Sequence, residues 1–112
     1  MNYELGIENE SRLVSFSSIL ASMTQKISEH RKKIDDLDLK ILNLIQDRID
    51  QAIIIRGLKT EQDIPLFTPE REKDLINRLI EKSAGQLPAE VIEDIWETII
   101  KGGKRTGDSQ SP

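Results

Sequence analysis

Apolar residues recur along this chain at the three-to-four spacing of an amphipathic helix. Ile27, Ile34, Leu37, Ile41, Leu44 and Ile55 fall near one stripe, with Leu42, Ile45, Ile49 and Ala52 alongside. The pattern predicts a first helix from Lys26 to about Leu58. A weaker helical signal starts at Ser11, and residues 1–10 read as a loose arm. Residues 60–68 lack a period and contain Pro65, so they read as a loop. Thr68-Pro69 is an N-cap followed by proline at the first helical position. The second helix carries Leu75, Ile76, Leu79 and Ile80 and ends near Ala84-Gly85. Pro88 opens a third, which is expected to bury Val91, Ile92, Ile95, Trp96, Ile99 and Ile100. Gly102-Gly103 is expected to end or fray it, leaving residues 104–112 as a mobile polar tail. The expected organisation is an arm or helical extension over 1–25, a domain over 26–101 and a tail over 102–112. The fold class is all-α, a three-helix protomer with a long first helix.

That length matters for assembly. At about 1.5 Å per residue, Lys26 to Leu58 spans roughly 48 Å, more than the width of a small three-helix domain. Its apolar stripe therefore calls for a second chain, as an intertwined helical homodimer would supply. The 112 residues leave room for one domain and not for a second catalytic one. Charged residues at 32% and aromatics at 4% fit amphipathic helices. A net charge of -4 argues against nucleic acid or an anionic membrane as partner. No cysteine is present, which removes thiolate and zinc-thiolate chemistry, and one histidine cannot build a metal cluster. No cofactor is called for. Glu4, Glu8 and Glu10 precede the mildly apolar Leu13–Met23 where a signal peptide would carry positive charge, so a cytoplasmic protein is expected.

Candidate chemistry lies in the cations. Arg48 and Lys59 are eleven residues apart, which returns to within roughly 20° of the same helix face at a separation of about 16 Å. Two long side chains leaning together could grip one small molecule. Arg31 lies about 25 Å before Arg48, too far to share that ligand within one chain. If the first helix pairs antiparallel with its copy about a twofold near Leu42, Arg31 falls beside the partner's Arg48 to Lys59 interval. Arg71 and Glu72 open the second helix, where end amides also favour anions, although Glu72 could simply act as a helix-start carboxylate. Taken singly, each of these cations would pass for a solvated surface charge.

The run Arg31 to Asp38 (RKKIDDLD), then Leu44 to Arg48 (LIQDR), Lys59, Pro65 and Thr68 to Glu72 (TPERE) resembles the all-helical, or type II, chorismate mutases. The cation spacings of 17, 11 and 12 match that family without a gap, and the resemblance covers residues 27–100. It implies a dimer paired through long first helices, with two sites that each borrow an arginine. Arg31 of one subunit and Arg48 would bind the carboxylates of chorismate, Lys59 the ether oxygen and Glu72 the ring hydroxyl, with Arg71 in support. The family often has Asp where this chain has Thr68, and there the capping role competes with a ligand contact.

The implied reaction, chorismate to prephenate, is pericyclic and needs no nucleophile, metal or general base. It belongs to phenylalanine and tyrosine biosynthesis. The same scaffold also resembles isochorismate-pyruvate lyases and aminodeoxychorismate mutases, and a non-catalytic helical dimer that docks on another protein is the alternative of a different class. One departure stands out. Many relatives place a Gln or Glu late in the third helix against the ether oxygen, and the ungapped position here is Gly107. A subset with such glycine-containing ends is fully active only when docked on the first synthase of the shikimate pathway. The resemblance thus raises activation by that synthase, with the partner ordering residues 104–112.

Overall fold

The structure is a computed structural model. It describes the backbone of residues 2–66 and 68–110 and the side chains of residues 15–66 and 68–109. Three helices account for it: α1 Asn2–Glu61, α2 Pro69–Ser83 and α3 Ala89–Gln110, with no strand among the described residues. The chain divides into two units, residues up to Leu42 and residues from Asn43 onward.

The first unit is helical from Asn2, so the loose arm expected over residues 1–10 is corrected. Helix propagation adds one backbone bond per residue fixed and requires no apolar period, and this stretch has no proline to stop it. Along this unit Phe16, Leu20, Met23, Ile27, Ile34, Leu37 and Ile41 follow alternating steps of three and four, with His30 in the one polar slot. Every one of these apolar side chains is exposed, Ile34 at 55% for example. The step pattern is the 3.5-residue repeat of a helix-pairing seam.

The second unit contains the end of α1 together with α2 and α3. Its buried apolar side chains are Ile76 of α2 and Ile92 of α3. Leu75, Leu79, Ile80, Trp96, Ile99 and Ile100 are half-buried around them, whereas Val91 and Ile95, expected inside, are exposed. On α1 the half-buried positions are Ile45, Arg48, Ile49, Ala52, Ile53, Arg56 and Lys59, one face at three-to-four spacing. Leu44, Ile54, Ile55 and Leu58 remain exposed.

Local signals set the ends. Asp63 (φ 56°) turns the chain out of α1, and its neighbour Ile64 donates from its backbone N–H to the Lys59 carbonyl at 2.8 Å. Aspartate is one of the few residues that enter this left-handed region readily. α2 ends in the same way at Ala84 (φ 50°) and Gly85 (φ 82°), with the Ala84 N–H donating to the Glu81 carbonyl at 3.1 Å. Val91 and Ile92 N–H groups donate to the Pro88 carbonyl at 3.1 and 3.2 Å, which starts α3.

Gly102-Gly103 does not end α3, and residues 104–110 are helical rather than a mobile tail. Packing explains the correction. Gly103 and Gly107 are buried, one turn apart, against α1. A Cβ at Gly103 would lie 3.7 Å from Ile49 Cγ1, and one at Gly107 would lie 3.7 Å from Ile53 Cγ1 and 3.4 Å from Arg56 Nη1. A Cβ at either position would stand at ordinary van der Waals distance from these α1 side chains, so the two glycines lie on the face of α3 that packs on α1, and this contact offsets the helix cost of about 1 kcal/mol per glycine. Gly102 faces open space, and a Cβ there would meet nothing within 4 Å. Gly102→Ala should therefore raise unfolding free energy by about 0.5–1 kcal/mol, while Gly103→Leu should lower it by about 1–3 kcal/mol through overpacking. Urea titration checks both, and equal effects of the two changes would refute the packing of Gly103 on α1.

Candidate functional site

Of the residues expected to form the site, Arg48, Lys59, Thr68 and Glu72 are half-buried in the second unit, while Arg71 is exposed. Arg31 belongs to the first unit and is exposed there. Arg48 and Lys59 lie on the α1 face that also carries Ile49 and Ile53, the residues against which the two α3 glycines pack. Lys59 is in the last turn of α1, where a cation is favoured by the helix dipole. Its backbone carbonyl accepts from both Gln62 and Ile64 N–H groups at 3.2 and 2.8 Å, so the stem of this lysine starts from a fixed point.

Thr68 serves α2 through its backbone. Its carbonyl accepts from the Arg71 and Glu72 N–H groups at 3.1 and 3.3 Å, and its side chain makes no capping bond. The expected competition between capping and ligand contact is thus absent, and the hydroxyl is not committed to the helix end. Glu72 has a partner that sequence reasoning missed. Lys104 Nζ lies 3.0 Å from Glu72 Oε1. A mobile tail would have kept Lys104 away from α2, and only the continuation of α3 brings it there.

Arg56 was missed as well. Its guanidinium lies against Gly107, and Nη2 pairs with Asp108 Oδ1 at 2.7 Å. The one available signal was position: Arg56 is three residues before Lys59, the spacing at which helix side chains are neighbours. A groove of about 590 Å³ opens between α2 and α3, lined by Glu72 and Lys73 from α2 and by Glu93, Glu97, Lys101 and Lys104 from α3. Three acids against three lysines give it no net preference for a dianion, and neither Arg48 nor Lys59 lines it. Among the described residues, no group of three or more His, Cys, Asp or Glu is placed to hold a metal ion. None of the described helices is long and apolar enough to cross a membrane.

The family model described as chorismate mutase type II matches residues 30–106. This chain belongs to the type II chorismate mutase family. The match includes Arg31, Arg48, Lys59, Thr68, Arg71 and Glu72, and it extends past Gly102-Gly103 to Thr106, in keeping with the continuous α3. A chorismate mutase from Methanocaldococcus jannaschii is 44% identical over 57 residues, covering 51% of this chain and 58% of that protein. A bifunctional chorismate mutase/prephenate dehydratase from Aquifex aeolicus is 31% identical over 80 residues, covering 68% of this chain and 22% of that protein. The chain therefore spans less than two thirds of either relative. The solved structure of chorismate mutase form II from Thermus thermophilus superposes with a TM-score of 0.71 at 28% identity, covering 78% of this chain and 99% of that one.

Because the Thr68 hydroxyl caps nothing, Thr68→Ala in this family member should cost less than about 0.5 kcal/mol of stability, against about 1 kcal/mol for a working cap. Thermal unfolding measures this. A loss of a full cap's worth would show that the hydroxyl is engaged at the helix start.

Proposed function

We propose that this chain catalyses the rearrangement of chorismate to prephenate as a homodimer with two shared sites. The observation that carries this reading is the family match over residues 30–106, which contains the full set Arg31, Arg48, Lys59, Arg71 and Glu72 at their expected spacings. In each site Arg48 and Arg31 of the partner subunit hold the two carboxylates, for which guanidinium forks are suited. Lys59 donates to the ether oxygen, Glu72 accepts from the ring hydroxyl, and Arg71 and Thr68 complete the pocket. The breaking C–O bond gathers negative charge on that oxygen, so a fixed cation there stabilises the transition state more than the ground state. The remaining catalysis comes from holding the folded, reactive conformer. The names of the relatives favour chorismate over isochorismate or aminodeoxychorismate as substrate.

The exposed seam of α1 supports the dimer. A protomer whose buried core is Ile76 and Ile92 leaves Ile27, Ile34, Leu37, Ile41, Leu44 and Ile55 in water. Each large aliphatic side chain contributes about 1.5–3 kcal/mol when fully buried, so pairing along the seam is the strongest stabilisation open to the chain. The continuation of α3 through residues 104–110 supports an order of this segment that does not depend on a partner synthase. The isolated chain is therefore expected to turn over chorismate by itself, and an assay with and without the first shikimate-pathway synthase checks this. Strict dependence on the synthase would restore the activation reading.

Sedimentation at micromolar concentration should give a dimer, and a monomer would remove the shared site. Arg31→Ala and Arg48→Ala chains, each inactive alone, should regain activity when refolded together, because each mixed dimer keeps one intact site. Lys59→Ala should lower kcat on the order of 100-fold. A raised KM at unchanged kcat would reduce Lys59 to a binding group.

A further inference from the structure

We propose that Arg56 is a second catalytic cation, donating alongside Lys59 to the oxygen of the breaking bond. The inference rests on the functional reading above and adds a residue to it. Its basis is a notch. Gly107 is buried and has no side chain, and the space next to it is taken by Arg56, with Nη1 3.4 Å and Cδ 3.7 Å from where a Cβ would stand. A Cβ at 107 would stand in ordinary van der Waals contact with this side chain. Asp108, the next residue of α3, takes Nη2 at 2.7 Å. One residue thus provides the seat and its neighbour the anchor.

The anchor uses one edge of a planar group that carries five N–H donors, so the fork is oriented by the ion pair without being exhausted by it. Arg56 shares the half-buried face of α1 with Arg48 and Lys59. Three residues separate it from Lys59, which places the two side chains side by side, about 5–6 Å apart at Cβ. A pericyclic rearrangement has no proton to move and no intermediate to trap. A cation held beside the breaking C–O bond is therefore the chemistry such a residue can add. Arg56 stays fully charged, and its ion pair with Asp108 offsets part of its field on the substrate carboxylates that Arg48 and Arg31 of the partner subunit hold. Its contribution then appears as oxygen charge develops, and falls on kcat more than on KM.

The test uses the full chain, with kcat and KM for chorismate and the thermal midpoint measured for wild type, Arg56→Met, Arg56→Lys and Asp108→Asn. Arg56→Met should lower kcat by roughly 10- to 100-fold with KM within about threefold. Arg56→Lys should recover much of that loss, and Asp108→Asn should show a smaller fall in kcat, since the guanidinium loses its orientation but keeps its charge. An Arg56→Met chain with wild-type kcat would overturn the proposal. So would equal losses in the Met and Lys variants with a lowered thermal midpoint, which would make Arg56 a clamp between α1 and α3. A wild-type chain that leaves chorismate unchanged would instead remove the functional reading, and this inference with it, before any variant is compared.

Discussion

The apolar load of α1 exceeds what its own chain can cover, and the rest of the molecule is arranged around that imbalance. From Asn43 onward, one face of α1 lies against α3 through Ile49, Ile53 and Arg56 and carries Arg48 and Lys59 among its half-buried residues. The residues off that face, Leu44, Ile54, Ile55 and Leu58, stay in water. In the first unit the whole seam from Phe16 to Ile41 is exposed. Burial of a few aliphatic side chains within one protomer cannot match the conformational entropy of ordering a chain of this length. The pairing of copies proposed above would supply that missing burial as well as complete a site.

Where α3 meets α1, small residues do the positioning. Gly103 and Gly107 face Ile49, Ile53 and Arg56 across that contact, Arg56 pairs there with Asp108, and Lys104 ties α3 to α2 through Glu72. Both pairs are partly exposed, so each contributes little to stability. What they fix is direction. Glu72 is held from α3 while its backbone is held from Thr68, and Arg56 is held from α3 while its own helix is closed at Lys59. Side chains carried on helices and braced from neighbouring ones need less rearrangement to hold a ligand.

Much of this was legible in the sequence, for identifiable reasons. Thr68-Pro69 and Ala84-Gly85 carry local backbone requirements, and α2 runs from Pro69 to Ser83 accordingly. Arg48 and Lys59 share a face because eleven residues return to it, a consequence of helix geometry alone. The end of α3 was not legible, since the cost of a glycine is known from isolated helices and the gain at Gly103 and Gly107 comes from Ile49 and Ile53, remote in sequence. Lys104 and Arg56 escaped for the same cause: a lone cation acquires a role only from its tertiary neighbours. Residues 2–10 were misread because an apolar period reports burial, and a helix can propagate without being buried.

His30 gives the seam of the first unit a property that its aliphatic residues alone could not. A strip repeating every 3.5 residues has translational degeneracy, because two such helices slid by one heptad still set aliphatic against aliphatic. The polar ring at His30 breaks the run between Ile27 and Ile34. Any pairing must find its nitrogens a hydrogen-bonding neighbour or water, and most shifted alignments would press it against a leucine or isoleucine. A single polar residue in a helical seam lowers stability and selects alignment. In the paired seam proposed above, the ring would act as an index mark, penalising the alternative assemblies that a long, uniform and exposed apolar strip would otherwise allow.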